Sequence, residues 1–179
     1  MNLIVSFLPF LVFAVGLHLG YVALALWGAA IVAAVLLVRD VAINHKSAKI
    51  LEVGTLVLFL ALALYTSLSG RDWTIPDIRL IIDGGLFAIA AGSLAIGRPF
   101  TLQYAREGAP ASIWHSPAFL AVNQRITLVW CAAFLVMVAT DAAMIWLPQI
   151  PQRLDIVATI LALVAAVRYT KHAAGSAAN

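Results

Sequence analysis

From Leu3 to Val38 the chain carries no Asp, Glu, Lys or Arg, an uncharged run of 36 residues. One helix needs about 20 apolar residues to cross a bilayer, so this run holds nearly two crossings. In water it would have to be buried completely, and the rest of the chain has too little polar surface to cover it. Hydrophobic residues make up 64% of the 179 and charged residues 11%, against about 45–50% and about 25% in ordinary soluble domains. Mean hydropathy is +1.02. A soluble enzyme, a secreted disulfide scaffold and a disordered regulator are excluded, and an integral membrane protein is expected.

The remaining bulk features narrow the class further. Cys131 is the single cysteine and lies in an apolar run, so neither a disulfide framework nor a multi-cysteine metal site is available. The net charge is +3 and the isoelectric point about 9.4, but the basic residues are scattered, with no run of five or more, so nucleic acid is not an expected partner. The start, Met1-Asn2-Leu3-Ile4, has no basic region, and no small-residue cleavage site follows cleanly. It reads as a retained first helix.

Apolar segments fall at approximately 3–17, 19–38, 48–67, 78–96, 126–147 and 154–167. They are too long and too continuously apolar for barrel strands. The expected fold is all-α: a single polytopic helical membrane domain over 1–179 with five or six transmembrane helices. The first segment is short and carries Pro9, and the sequence leaves open whether it crosses fully. The sixth is also short and needs Arg168 and Tyr169 to reach the interface. Pro148-Gln149-Ile150-Pro151 reads as the stop after the fifth, and the Ala-rich tail beyond Lys171 is expected to be disordered.

Basic residues give orientation. Arg39, Lys46, Lys49, Arg98, Arg106, Arg125, Arg168 and Lys171 fall on one side, and Arg71, Arg79 and Arg153 on the other. The richer side is expected to be cytoplasmic, which puts the C-terminus inside. The 97–125 loop on that side pairs arginines with rings. Arg98, Arg106, Arg125, Tyr104 and Trp114 are candidates for lipid-headgroup contact, on one or two short helices lying at the inner leaflet. Phe100 and Tyr104, four apart, share a helical face.

Asp83 and Asp141 are the sharpest candidates for chemistry. Each is expected about 9–11 Å inside the outer boundary at about 1.5 Å per residue, and an ionisable group within a span is costly. Two carboxylates at similar depth can share a proton or hold a cation. The competing reading pairs Asp83 with Arg79, four residues earlier on the same helix, and leaves Asp141 in a polar groove. Glu52, near the start of the third segment, has Lys49 as a ready partner. His18, His45, His115 and His172 lack metal-ligand spacing, so no metal and no cofactor are expected. Asn44, Asn123 and Gln124 read as loop caps. Gly84, Ala88 and Gly92, and Ala158, Ala162 and Ala166, read as helix-packing seams. No nucleophile elbow, phosphate loop or dinucleotide fingerprint is present, which argues against an enzyme.

Several positions together resemble a known family. Phe7-Leu8-Pro9 precedes the uncharged double segment. Glu52 leads into Thr55-Leu56-Val57-Leu58-Phe59. Arg98-Pro99 opens the loop that holds Trp114, Asn123 leads into Trp130-Cys131-Ala132-Ala133-Phe134, and Trp146-Leu147-Pro148 closes the fifth segment. In these the chain resembles the bacterial intracellular septation protein A (YciB-like) inner-membrane family. The stretches Phe100–Glu107 and Asn123–Thr127 depart from that pattern. The resemblance implies a role in cell-envelope maintenance or septation, through contacts with the bilayer and other membrane proteins, with a homo-oligomer as a further option and no catalytic residues to carry over. The alternatives are a small proton- or cation-coupled transporter using Asp83 and Asp141, and an anionic-lipid-binding protein.

Overall fold

The structure, a computed structural model, describes residues 3–147 and 149–176. Seven α-helices carry these residues: α1 Leu8–His18, α2 Val22–Val38, α3 Ile50–Ser69, α4 Ile75–Ala95, α5 Phe100–Gly108, α6 Pro117–Trp146 and α7 Gln152–Ser176. A 3-10 turn, Val5–Phe7, precedes α1, a π-helical turn, Arg39–Ile43, continues α2, and a second 3-10 turn, Ala111–Ile113, follows α5. There is no strand among the described residues. Four helices are long and apolar enough to cross a membrane: Val22–Ile43, Ile50–Ser69, Ile75–Ala95 and Pro117–Trp146. Val5–His18 is apolar but shorter. At about 1.5 Å per residue it reaches roughly two thirds of a hydrocarbon core about 30 Å thick. The uncharged part of α7, between Asp155 and Arg168, is equally short for a crossing.

The chain forms two compact units, Met1–Ile75 and Pro76–Asn179. In the first, α1 packs on α2 and α2 on α3. The α1–α2 approach is close enough that a Cβ at Gly16 would stand 2.6 Å from the Ala25 Cβ, so only glycine fits there. Small residues of α2 (Ala29, Ala30 and Ala33) are buried along with Leu26. Phe10 and Phe13 of α1 close on the ring of Phe59 from α3, with centroids 5.0 and 5.7 Å apart.

In the second unit α5 and α7 both pack on α6. Its buried apolar residues include Ile78, Ile82 and Leu86 of α4 and Trp130, Phe134 and Met137 of α6. Thr101 of α5 donates to the Asn123 carbonyl at 2.9 Å, and its hydroxyl lies 2.7 Å from that of Thr127. This polar seam fastens α5 to α6.

Two sequence boundaries move. α6 starts at Pro117, well before the expected 126, because Ser116 caps it by accepting from the Phe119 N–H at 3.2 Å and Pro117 occupies the first turn. Arg125, Asn123 and Gln124 are therefore helical, and the loop contracts to Gly97–Ser116 around α5. The tail beyond Lys171, expected to be disordered, continues α7 as far as Ser176. Pro148 of the expected stop lies outside the described residues.

Candidate functional site

The second unit draws four ionisable side chains from three helices into one cluster. Arg79 and Asp83 come from α4, Asp141 from α6 and Asp155 from α7. By residue count Asp83 lies about 12 Å along α4 from its first residue, Asp141 about 8 Å before the end of α6, and Asp155 about 5 Å into α7. The start of α4, the end of α6 and the start of α7 thus come together at one end of the unit.

Arg79 is the hub. Its Nε stands 3.2 Å from Asp141 Oδ1, and its Nη1 forms an ion pair with Asp155 Oδ2. Its Nη2 donates to the Thr159 hydroxyl at 3.5 Å, one turn along α7 from Asp155. Asp83 faces the Asp141 carboxyl and lies within electrostatic reach of Arg79 and Asp155. Asp141 is 0% exposed, Asp155 2% and Asp83 6%. The Arg79 side chain keeps 17% of its surface.

The expected pairing of Arg79 with Asp83 along one turn is thus replaced by ion pairs across helices. The i,i+4 spacing permits the local pair, but the long guanidinium satisfies two fully buried carboxylates by reaching outward. Both pairs bring charge, and the guanidinium reaches only one oxygen of each carboxylate, so the four buried oxygens of Asp141 and Asp155 are short of well-aligned donors among the described residues. One guanidinium faces three carboxyl groups, an imbalance of two formal charges in a desolvated site. Such oxygens are satisfied when a proton is added, since it both neutralises charge and supplies a donor. A guanidinium 3.2 Å from Asp141 opposes a metal cation at the same place. Among the described residues no three His, Cys, Asp or Glu side chains are arranged to hold a metal.

The first unit holds a second buried charged cluster. Lys49 Nζ donates to Asp40 Oδ2 at 3.1 Å and to Glu52 Oε1 at 3.3 Å, and the Ser6 hydroxyl donates to Glu52 Oε1 at 3.4 Å. Asn44 and Arg39 donate to Asp40 Oδ1 at 3.2 and 3.3 Å. The expected Lys49–Glu52 pair is present. Asp40 enters because the π-helical turn at the end of α2 carries it inward, to 0% exposure. Here acid and base balance, so this cluster ties α2 to α3.

The loop candidates are dispersed. The Arg106 guanidinium lies over the Trp114 ring, 5.7 Å from its centroid, and the Trp114 indole donates to the Ala109 carbonyl at 2.9 Å. Tyr104 is half-buried on α5, while Arg98 and Arg125 are exposed on different elements.

No family model matches the chain, and no curated protein or solved structure matches it.

Two residues of these clusters escaped the sequence reading. Asp155 was the one carboxylate opening an otherwise apolar segment, four residues after Pro151, and that position was its only signal. Asp40 sits just past the expected end of the second segment, where nothing in the sequence singles it out.

Proposed function

We propose that the protein is a small proton-coupled carrier whose proton site is the Asp83–Asp141–Asp155 cluster around Arg79. One observation carries this reading: three carboxyl groups, Asp83, Asp141 and Asp155, are buried together around the single guanidinium of Arg79. Ionisable groups inside spans are costly and mark ion or proton pathways. The proton is the ligand that this donor set suits, because the guanidinium already fills the place of a metal.

The proposed setting is a bacterial inner membrane, with α1 and α7 completing five or six crossings and the C-terminus in the cytoplasm. The distribution of basic residues supports that orientation. The headgroup role for Arg98, Arg106, Arg125, Tyr104 and Trp114 belongs to the same proposal. The experiment is proton uptake by sealed liposomes containing the purified protein, read with an internal pH dye under an imposed potential. Wild type takes up protons, and D83N/D141N loses at least about tenfold of the rate while staying monodisperse in detergent. Undiminished uptake by the double variant rejects the reading.

Envelope maintenance or septation through other membrane proteins is a second reading. It is favoured by the resemblance and by the exposed apolar side chains of α7, among them Leu154, Val157, Ile160 and Leu161, which suit a partner helix or a second copy as well as lipid. Crosslinking along this face in native membranes tests it: division or wall-synthesis proteins are captured on this reading, and lipid alone counts against it.

A further inference from the structure

At one end of the first unit, the α1–α2 turn and the segment after α3 border an open cavity of about 380 Å³, lined among others by Tyr21, Leu24, Thr66, Arg71, Asp72 and Trp73. Its size lies in the range of small-molecule sites, about 300–1,000 Å³. Both walls are fixed by backbone reversals. Gly20, at φ +82°, turns α1 into α2, and Gly70, at φ +61°, ends α3. Left-handed conformations of this kind favour glycine. The Tyr21 N–H donates to the Gly16 carbonyl at 3.1 Å and the Gly70 N–H to the Thr66 carbonyl at 3.1 Å, while the Arg71 N–H donates to the Ser69 hydroxyl at 3.3 Å.

The side chains are held as firmly. The Trp73 indole donates to the Thr66 hydroxyl at 2.8 Å, and the Tyr65 ring lies 6.0 Å from it. The Arg71 guanidinium sits over the Trp73 ring, 4.3 Å from the centroid. A guanidinium held by its face keeps its N–H edges for an anion. Asp72 stands next to it in the chain and lines the same cavity, yet neither charge forms an ion pair among the described residues. A cation and an anion side by side, each unpaired, complement a ligand that carries both charges. The wall continues into apolar, exposed surface at Leu24, which lines the cavity and is 68% exposed. Aromatic rings, an arginine and a bare leucine at helix ends are the chemistry of a headgroup boundary.

We propose that this cavity binds a zwitterionic phospholipid, with the phosphodiester on Arg71, the ammonium on Asp72 and an acyl chain along Leu24. The proposal rests on the membrane character of the helices and is independent of the proton site.

The test is native mass spectrometry of the full-length protein, extracted from nanodiscs that contain equal phosphatidylethanolamine and phosphatidylglycerol. Wild type retains phosphatidylethanolamine over phosphatidylglycerol by about tenfold. R71Q loses retention of both lipids, and D72N loses the preference while keeping phosphatidylglycerol. Equal retention of the two lipids by wild type, or an unchanged preference in both variants, overturns the proposal. So does full displacement of the lipid by millimolar glycerophosphoethanolamine, which carries the headgroup without acyl chains. Both substituted residues are exposed, so the variants fold, and an unchanged elution profile checks this.

Discussion

Arg79 of α4 and Asp141 of α6 lie 62 positions apart in sequence and 3.2 Å apart in space, Nε to Oδ1. That contact, with the Arg79–Asp155 pair beside it, ties three helices of the second unit together through one side chain. Removing the cation leaves three buried carboxyl groups facing one another. Breaking a buried pair in this way costs on the order of 3–5 kcal/mol. R79Q therefore lowers the thermal midpoint of the detergent-solubilised protein strongly. D141N/D155N added to R79Q restores most of the loss, because the charges that needed Arg79 are gone. Tryptophan fluorescence during heating measures both, and an R79Q midpoint equal to wild type contradicts the arrangement.

The first unit offers a parallel prediction at Lys49. K49M removes the cation shared by Asp40, at 0% exposure, and Glu52, at 4%. Arg39 and Asn44 still reach Asp40 and Ser6 still reaches Glu52, so the expected cost falls below about 3–5 kcal/mol, that of a fully uncompensated buried charge. D40N/K49M is less destabilised than K49M alone, since Asn at 40 still accepts from Asn44 and needs no counter-charge. A double-mutant cycle on thermal midpoints reads the coupling. Additive losses would remove the Lys49–Asp40 contact from the account.

How much of this was legible beforehand depended on the kind of signal. Helix-length apolar runs announce themselves, so α2, α3 and α4 fell close to the expected spans. The start of α6 was missed although Ser116-Pro117 is a recognisable cap, because polar residues from Asn123 to Arg125 masked a helix that was already running. Asp83 and Asp141 were visible because a carboxylate inside an apolar run is conspicuous. Asp155 and Asp40 were not, since each sits at the edge of its run, where a charge is ordinarily solvated. Their burial depends on how helices distant in sequence meet, which local periodicity does not encode.

The α1–α2 approach yields a packing prediction. A methyl at residue 16 would stand 2.6 Å from the Ala25 Cβ and 3.0 Å from its Cα, so backbone has to move. Overpacking of this kind typically costs about 1–3 kcal/mol. G16A lowers the thermal midpoint, whereas G28A, whose added methyl would meet only the Val12 side chain at 3.4 Å, has a much smaller effect. Equal effects at the two positions would mean that α1 and α2 are further apart than described.

The carboxylate cluster proposed as the proton site sits above an apolar stretch of α6. Along one face of α6 the buried residues run Asp141, Met137, Phe134, Trp130, Thr127 and Asn123. Asp141 and the hydroxyl seam at Thr127 are about 21 Å apart by residue count, and only apolar bulk lies between them on this face. The Trp130 and Phe134 rings pack with centroids 5.6 Å apart. The Trp130 indole donates to the Thr170 hydroxyl of α7 at 3.1 Å, and Thr170 in turn donates to the Ala166 carbonyl at 2.8 Å. On the proposed carrier reading, this aromatic plug, latched to the neighbouring helix, is expected to keep protons on the carboxylates from leaking toward the other end of the unit. W130A opens that path, and T170V loosens the latch without removing the ring. In liposomes with an imposed pH gradient, W130A collapses the gradient faster than wild type by about tenfold, and T170V falls between the two. Adding D83N/D141N to W130A abolishes the leak if it runs through the carboxylate cluster. A W130A leak that persists in the triple variant places the path elsewhere, and a W130A gradient as stable as wild type removes the plug.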